Sequence, residues 1–241
     1  MLPTEVFSRR ADRALAGPVG ASHARAVEAL PDGGSVIDVG AGGGVASLPL
    51  APRMATLTAV DTHQGMLDDL ARRAKPLGVE VHLVTGTWPE VAGRVPTADL
   101  VLCHHVLYNV ADLAPFVAAL TGHARRRVVV EITARHPLTA LNPYWQHFHD
   151  LARPAGPDAE QAIELLESLG LDVRVDRWTA PPEAEHATFA DLVDVTRRRL
   201  CLPPERAAEV AELLRRNGID ESQPPDLGSS GRDRVTLSWS P

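Results

Sequence analysis

An open, mostly parallel sheet of seven strands with helices on both faces is the α/β fold that this 241-residue chain predicts. Three observations predict it. Short apolar runs alternate with helical patterns through the first 178 residues. One run, Leu100-Val101-Leu102-Cys103, is apolar on both faces, as a buried parallel strand must be. The earliest run ends directly in a glycine loop, Gly40-Ala41-Gly42-Gly43-Gly44.

Residues 4–16 and 20–30 pattern as amphipathic helices, the second with Ser22 as its N-cap. Pro31-Asp32-Gly33-Gly34 is a turn, and Ser35 to Val39 is the first strand. After the glycine loop, Val45 to Met54 reads as a helix start, shortened by Pro49 and Pro52. Strands follow over 56–60, 79–84, 98–103 and 127–133, with helices over 64–75 and 113–123 between them. A helix over 159–169, ended by Gly170, leads to a strand over 171–178. Val235, Leu237 and Trp239 alternate in a final strand over 233–240. Two segments break the alternation. Residues 134–158 are rich in proline, histidine and aromatics. Residues 183–218 read as two helices broken at Pro203-Pro204. Both fall where loops cap a sheet, so both are lid candidates. Glu221 to Gly231 is a polar loop.

Composition narrows the function. Hydrophobic residues make up 44%, enough for a core. No stretch approaches the roughly 18 apolar residues a membrane helix needs. Ser8-Arg9-Arg10 is followed by Ala11-Asp12-Arg13 and no apolar run, which argues against an export signal. Two cysteines, Cys103 and Cys201, are too few for a disulfide framework, and a reducing cytoplasm is the expected location. The net charge of −7 lacks the positive field that duplex nucleic acid requires. Lys75 is the single lysine. The clusters Arg125-Arg126-Arg127, Arg197-Arg198-Arg199 and Arg215-Arg216 fall near expected helix ends, where cations complement the dipole.

A glycine loop after a strand lets backbone N–H groups approach a ligand closely. Asp61, at the end of the next strand, stands where an acid accepts ribose hydroxyls. A dinucleotide loop requires G-x-G-x-x-G/A, but the sixth position from Gly40 is Val45. Asp38 precedes the first glycine by two positions, inside an apolar strand rather than at a helix cap.

The stretch Val36-Ile37-Asp38-Val39-Gly40-Ala41-Gly42-Gly43-Gly44 resembles the first motif of class I S-adenosylmethionine-dependent methyltransferases. Ala59-Val60-Asp61-Thr62-His63 is similar to the second motif, and Ala98 to Val110 resembles the fourth-strand motif. The resemblance covers roughly residues 20–178 and the final strand. It implies a Rossmann-like single domain over 1–241 with an antiparallel last strand and with 134–158 and 183–218 as insertions. It implies S-adenosylmethionine as cofactor, S-adenosylhomocysteine as product, and methyl transfer to O or N of a small molecule. In that family the strand-end acid anchors the methionine amino group, which falls to Asp38. Gly40, Ala41, Gly42 and Gly44 line the cofactor, and Asp61 with Thr62 meets the ribose. The family's usual Gly-Asp after the third strand is replaced by Gly86-Thr87. Thr87 offers a hydroxyl to adenine instead, and Trp88 either packs on the adenine face or joins the core.

The catalytic residue is not readable. His104 or His105 would contact the methionine carboxylate or act as a base, and a structural role is the alternative for each. Tyr144 and His147 are further candidates, from a cluster with His136, Trp145, His149 and Asp150 that reads as a substrate-facing lid rather than a metal site. Two other functions remain in view: an NAD-dependent oxidoreductase, which the spacing disfavours, and a cofactor-binding regulator without turnover.

Overall fold

The computed structural model describes residues 4–16, 20–181, 184–225, 227 and 232–241. Its strands are β1 (Gly34–Val39), β2 (Met54–Asp61), β3 (Glu80–Thr85), β4 (Ala98–His104), β5 (Ala124–Thr133), β6 (Arg174–Thr179) and β7 (Asp233–Trp239). They form one seven-stranded sheet in the order β3-β2-β1-β4-β5-β7-β6. The pairs among β1 to β5 are parallel, and the sheet closes with an antiparallel last strand. The predicted architecture and all seven strands are therefore observed.

The order reverses at β1, because β2 and β3 lie on one side and β4 on the other. A crevice opens at such a reversal, outside the carboxyl ends of the strands. The register brings those ends level: Val39 pairs with Val60, Asp61 with Thr85, and His104 with Glu131.

Two compact units divide the chain. The larger holds residues 3–132, 159–178 and 234–241. Its helices are α1 (Thr4–Ala16), α2 (Ala21–Ala29), α3 (Gln64–Ala74), α4 (Leu113–His123) and α6 (Ala159–Ser168). One core cluster runs from Leu30 and Val36 through Leu57, Leu67 and Leu70 to Leu100 and Leu102, all fully buried. The smaller unit holds 133–158 and 179–233, which contain both segments that broke the sequence alternation. Its helices are α5 (Asn142–His149), α7 (Phe189–Arg199) and α8 (Ala207–Arg216). They have their own core of Leu141, Tyr144, Leu192, Leu200, Val210 and Leu214. Part of the polar loop expected over 221–231 lies outside the described residues.

The local chemistry that starts α7 is complete. The Thr188 hydroxyl accepts from the Asp191 N–H at 3.1 Å, and the Asp191 carboxylate accepts from the Thr188 N–H at 2.9 Å. This capping box satisfies two of the helix's orphan donors. Thr188→Ala is expected to destabilise the protein by ~1 kcal/mol, read as a lower denaturant midpoint at unchanged slope.

Three sequence expectations change. Val45 to Met54 starts no α-helix: the glycine loop runs through turns into a 3₁₀ helix over Leu48–Arg53, because Pro49 and Pro52 withhold backbone donors. Ser22 does not cap α2. Gly20 occupies that position, and the Ser22 hydroxyl donates instead to the Glu131 carboxylate at 2.5 Å. Arg125 to Arg127 follow the end of α4 directly but belong to β5 rather than to a last helical turn, and there Arg125 pairs with Asp99 and Arg127 with Glu28.

Candidate active site

Strand β1 delivers Asp38 to the crevice end of the sheet as a residue only 1% exposed. Neither of its carboxylate oxygens has a hydrogen-bond partner among the described residues. The Ser47 hydroxyl is near enough to hold the carboxyl down somewhat, but it too is buried and makes no bond of ordinary geometry. Burial dominates, the Asp61 charge adds to it, and the Asp38 carboxyl is pushed up to about 7. A buried acid with no donors is costly unless a ligand supplies them.

The loop beyond Asp38 is shaped by backbone contacts. The N–H groups of Gly40 and Ala41 both donate to the Val60 carbonyl, at 2.8 and 3.0 Å. Gly40, Gly42 and Gly44 all have positive φ. At Gly40 (φ +74°) a Cβ would come within 2.3 Å of Val106 Cγ2, so the segment after β4 rests directly on this loop. Asp61 ties the loop from the other side. Its Oδ2 accepts from the Gly42 N–H at 2.9 Å, and its Oδ1 accepts from the His63 N–H at 2.9 Å. Each oxygen keeps acceptor capacity for a ligand hydroxyl.

The segment after β4 carries a second constellation. His105 has a left-handed backbone (φ +59°), and its N–H donates to the Glu131 carbonyl at 2.7 Å. Its Nε2 lies 3.2 Å from Glu131 Oε1, and its Nδ1 lies 3.0 Å from the Tyr108 hydroxyl. Glu131 is 3% exposed and is held by three side chains: Ser22, Arg234 (2.8 Å) and His105. Burial opposes its charge. The His105 hydrogen bond and the neighbouring His104, His105 and Arg234 outweigh that opposition, so the carboxyl lies well below the usual carboxylate range. His104 points differently. Its Nε2 is sealed from solvent without a partner among the described residues, and burial pulls its pKa down to about 4. At neutral pH it is an uncharged imidazole.

The remaining predicted residues separate. Thr62 and Thr87 are exposed at the ends of β2 and β3, on the same edge of the sheet as Asp61. Trp88 is a core residue, 5% exposed, with its indole N–H 3.4 Å from the Phe116 carbonyl and its ring edge-on to His123. That burial removes it from the adenine-facing set. Tyr144 is 4% exposed within the core of the smaller unit, so packing accounts for it, whereas His147 is exposed. Glu131, Ser22 and Arg234 were not identified from sequence. The available signal was a single acid, Glu131, inside the otherwise apolar run Val128 to Ile132.

A family model described as a methyltransferase domain matches residues 36–126, from within β1 through β4 into β5, with Asp38, the glycine loop, Asp61 and His105 inside it. The match takes in well under half of the chain, and over that segment the chain is similar to methyltransferase domains. Among its curated relatives, an uncharacterized protein of Haemophilus influenzae is 36% identical over 105 residues, 42% of this chain and 38% of that one. A ubiquinone biosynthesis O-methyltransferase of Rickettsia felis is 32% identical over 90 residues, 37% of this chain and 36% of that one. The chain thus spans little more than a third of the length of these relatives. Magnesium protoporphyrin IX methyltransferase from Synechocystis, crystallised with S-adenosylhomocysteine, superposes with a TM-score of 0.56 at 16% identity, covering 98% of this chain and 84% of that one. The YcgJ protein of Bacillus subtilis gives 0.57 at 16% identity, covering 90% and 96%. At that identity these two likenesses establish the fold.

S-adenosylmethionine is the cofactor that the sequence resemblance implies, and the residues present fit it. The unpaired Asp38 carboxylate suits an ammonium group, the glycine loop leaves backbone accessible, and Asp61 retains acceptor capacity.

Proposed function

We propose that this chain transfers a methyl group from S-adenosylmethionine to a hydroxyl oxygen of a small molecule. The observation that carries the reading is the buried Asp38 carboxylate, without a hydrogen-bond partner among the described residues, beside the glycine loop at the sheet's topological switch point. The sulfonium cofactor would supply an activated methyl, so the chain's own residues need only bind, orient and exclude water. Asp38 would hold the methionine ammonium, the backbone of Gly40 to Gly44 would lie along the cofactor, and Asp61 would accept the ribose hydroxyls with Thr62 beside it. Thr87 is the remaining hydroxyl available to adenine. A hydroxyl acceptor must lose its proton, and His105 is the base assigned to it. The name of the Rickettsia relative, an O-methyltransferase, supports oxygen as the acceptor atom.

The net charge of −7 supports a small-molecule acceptor over nucleic acid. Both cysteines are free, which supports a reducing compartment, and no described helix is long and apolar enough to cross a membrane. We assign choice of acceptor to the segment 134–158, where His147, His149 and Asp150 are exposed members of the polar-aromatic cluster.

Calorimetry with S-adenosylhomocysteine, S-adenosylmethionine and NAD tests the cofactor. Binding of NAD alone would sink the reading in favour of an oxidoreductase. Asp61→Ala is expected to weaken S-adenosylhomocysteine binding by more than ~1.5 kcal/mol through loss of charge-assisted hydroxyl bonds. Unchanged affinity would remove Asp61 from the site. Incubation of metabolite fractions with methyl-labelled cofactor then identifies the acceptor, and a complete absence of transfer would favour the regulator.

A further inference from the structure

The chain leaves β4 through a turn that needs support. His105 has φ +59°, a left-handed backbone that is uncommon outside glycine and persists only where its surroundings fix it. One residue of the neighbouring strand supplies both restraints. The Glu131 carbonyl accepts from the His105 N–H at 2.7 Å, and the Glu131 carboxylate lies 3.2 Å from His105 Nε2. That carboxylate is itself held in place. Ser22 of α2 donates to its Oε2 at 2.5 Å, and Arg234 of β7 donates to its Oε1 at 2.8 Å. The Arg234 guanidinium in turn lies over the Trp178 ring of β6, 5.3 Å from its centroid. Elements far apart in the chain thus converge on one buried acid. A buried ion gains little stability over an apolar residue of the same size, but it can fix one arrangement among several.

What this acid fixes is the residue after the turn. Val106 Cγ2 stands 2.3 Å from the place a Gly40 Cβ would occupy, so Val106 and the first residue of the glycine loop pack with no room for a methyl between them. The Val106 carbonyl accepts from the Asn109 N–H at 2.8 Å and carries the chain into the short 3₁₀ turn Leu107–Asn109. The direction of the His105 turn therefore decides where Val106 stands, and Val106 decides how the loop lies. We propose that Glu131 is a positioning residue for cofactor binding: it holds the left-handed turn at His105 and, through Val106, the Gly40 to Gly44 loop. The ligand of that loop is the one assigned by the methyltransferase reading above, on which this rests. A Glu131 that only supported the fold would change stability and leave the affinity of the folded protein as it is.

Amide hydrogen exchange of the ligand-free full chain tests the first link. In Glu131→Gln the His105 amide should exchange at least about tenfold faster than in wild type, and the Gly40 and Ala41 amides, which donate to the Val60 carbonyl, should quicken with it. Amides of the edge strand β3 should keep their wild-type rates. Unchanged exchange at His105, or equal quickening throughout β3, would overturn the proposal. If Glu131→Gln fails to fold, Ser22→Ala takes its place: it removes one donor from the carboxylate and should quicken His105 at least about threefold. Calorimetry with S-adenosylhomocysteine tests the second link. His105→Ala and His105→Gly both lose the imidazole and its tie to Glu131, but only alanine keeps a Cβ in the left-handed turn. His105→Ala should bind at least about tenfold more weakly than wild type, and His105→Gly within about threefold of it. Equal affinities of the two variants would overturn the link from turn to loop. Failure of the wild type to bind S-adenosylhomocysteine defeats the methyltransferase reading, whereas the exchange measurement needs no ligand and judges the role of Glu131 by itself.

Discussion

Asp38→Asn is expected to weaken S-adenosylhomocysteine binding by about 3 kcal/mol, roughly a hundredfold, because it strips the charge from the buried carboxylate proposed to hold the ligand ammonium. The same substitution should stabilise the ligand-free protein at alkaline pH. Burial raises the Asp38 carboxyl to about 7, assisted by the Asp61 charge and opposed by the Ser47 hydroxyl. In the unfolded chain it titrates near 3.8. Between these values the folded protein holds a proton that the unfolded chain releases. The stability tied to protonated Asp38 is thus complete below the unfolded value and is lost as pH rises through about 7. An asparagine has no such slope. The melting temperature of Asp38→Asn should therefore pull ahead of wild type as pH rises from 5 to 8.5, and parallel curves would refute the burial argument. Cofactor affinity of the wild type should move the opposite way. An ammonium favours the ionised carboxylate, so binding should weaken by up to tenfold per unit of pH below about 7.

Gly40→Ala should be the most damaging small substitution in the loop. Two costs combine there: a left-handed backbone (φ +74°) and a Cβ 2.3 Å from Val106 Cγ2. Together they are expected to remove about 3 kcal/mol of stability, with loss of cofactor binding because neither the loop nor the segment after β4 can give way without disturbing the other. Gly78 separates the two costs. Its φ is +72°, but nothing lies within 4 Å of its Cβ position. Gly78→Ala should cost only about 1 kcal/mol, the backbone share. Adding Val106→Ala to Gly40→Ala should relieve the clash, and a double mutant as unstable as Gly40→Ala would show that packing is not the cause. Denaturant unfolding of the four proteins measures these differences.

Several features were legible because they depend on near neighbours in the chain. Leu100 to Cys103 reads as a doubly covered strand because all four residues are apolar, and each is fully buried. Asp38 stands out as an acid within an apolar run, and Asp61 as the acid at the next strand end. Pro49 and Pro52 already signalled that no full helix follows the loop. Other residues misled. Ser22 has the chemistry of an N-cap, but the chain turns at Gly20, where Trp178 ring atoms stand 2.2 to 2.6 Å from the place a Cβ would occupy. Trp88 follows β3 as an adenine-facing ring would, but α4 supplies the Phe116 carbonyl and the His123 edge that take it into the core.

The sequence by itself determined the strand alternation and the glycine loop with its two acids, on which the resemblance that implies the cofactor class rests. These follow from periodicity and spacing, which survive without knowledge of distant contacts. Only the tertiary structure decided which histidine is tied to a charge. Ser22 and Arg234 stand 109 and 103 residues from Glu131; Arg234 meets it because β5 lies beside β7 in the sheet, and Ser22 reaches it from α2. Burial raises Asp38 and depresses His104, while three donors keep Glu131 ionised in comparable burial. That contrast comes from the number of hydrogen-bond partners each buried group finds, and the fold supplies those partners from across the chain.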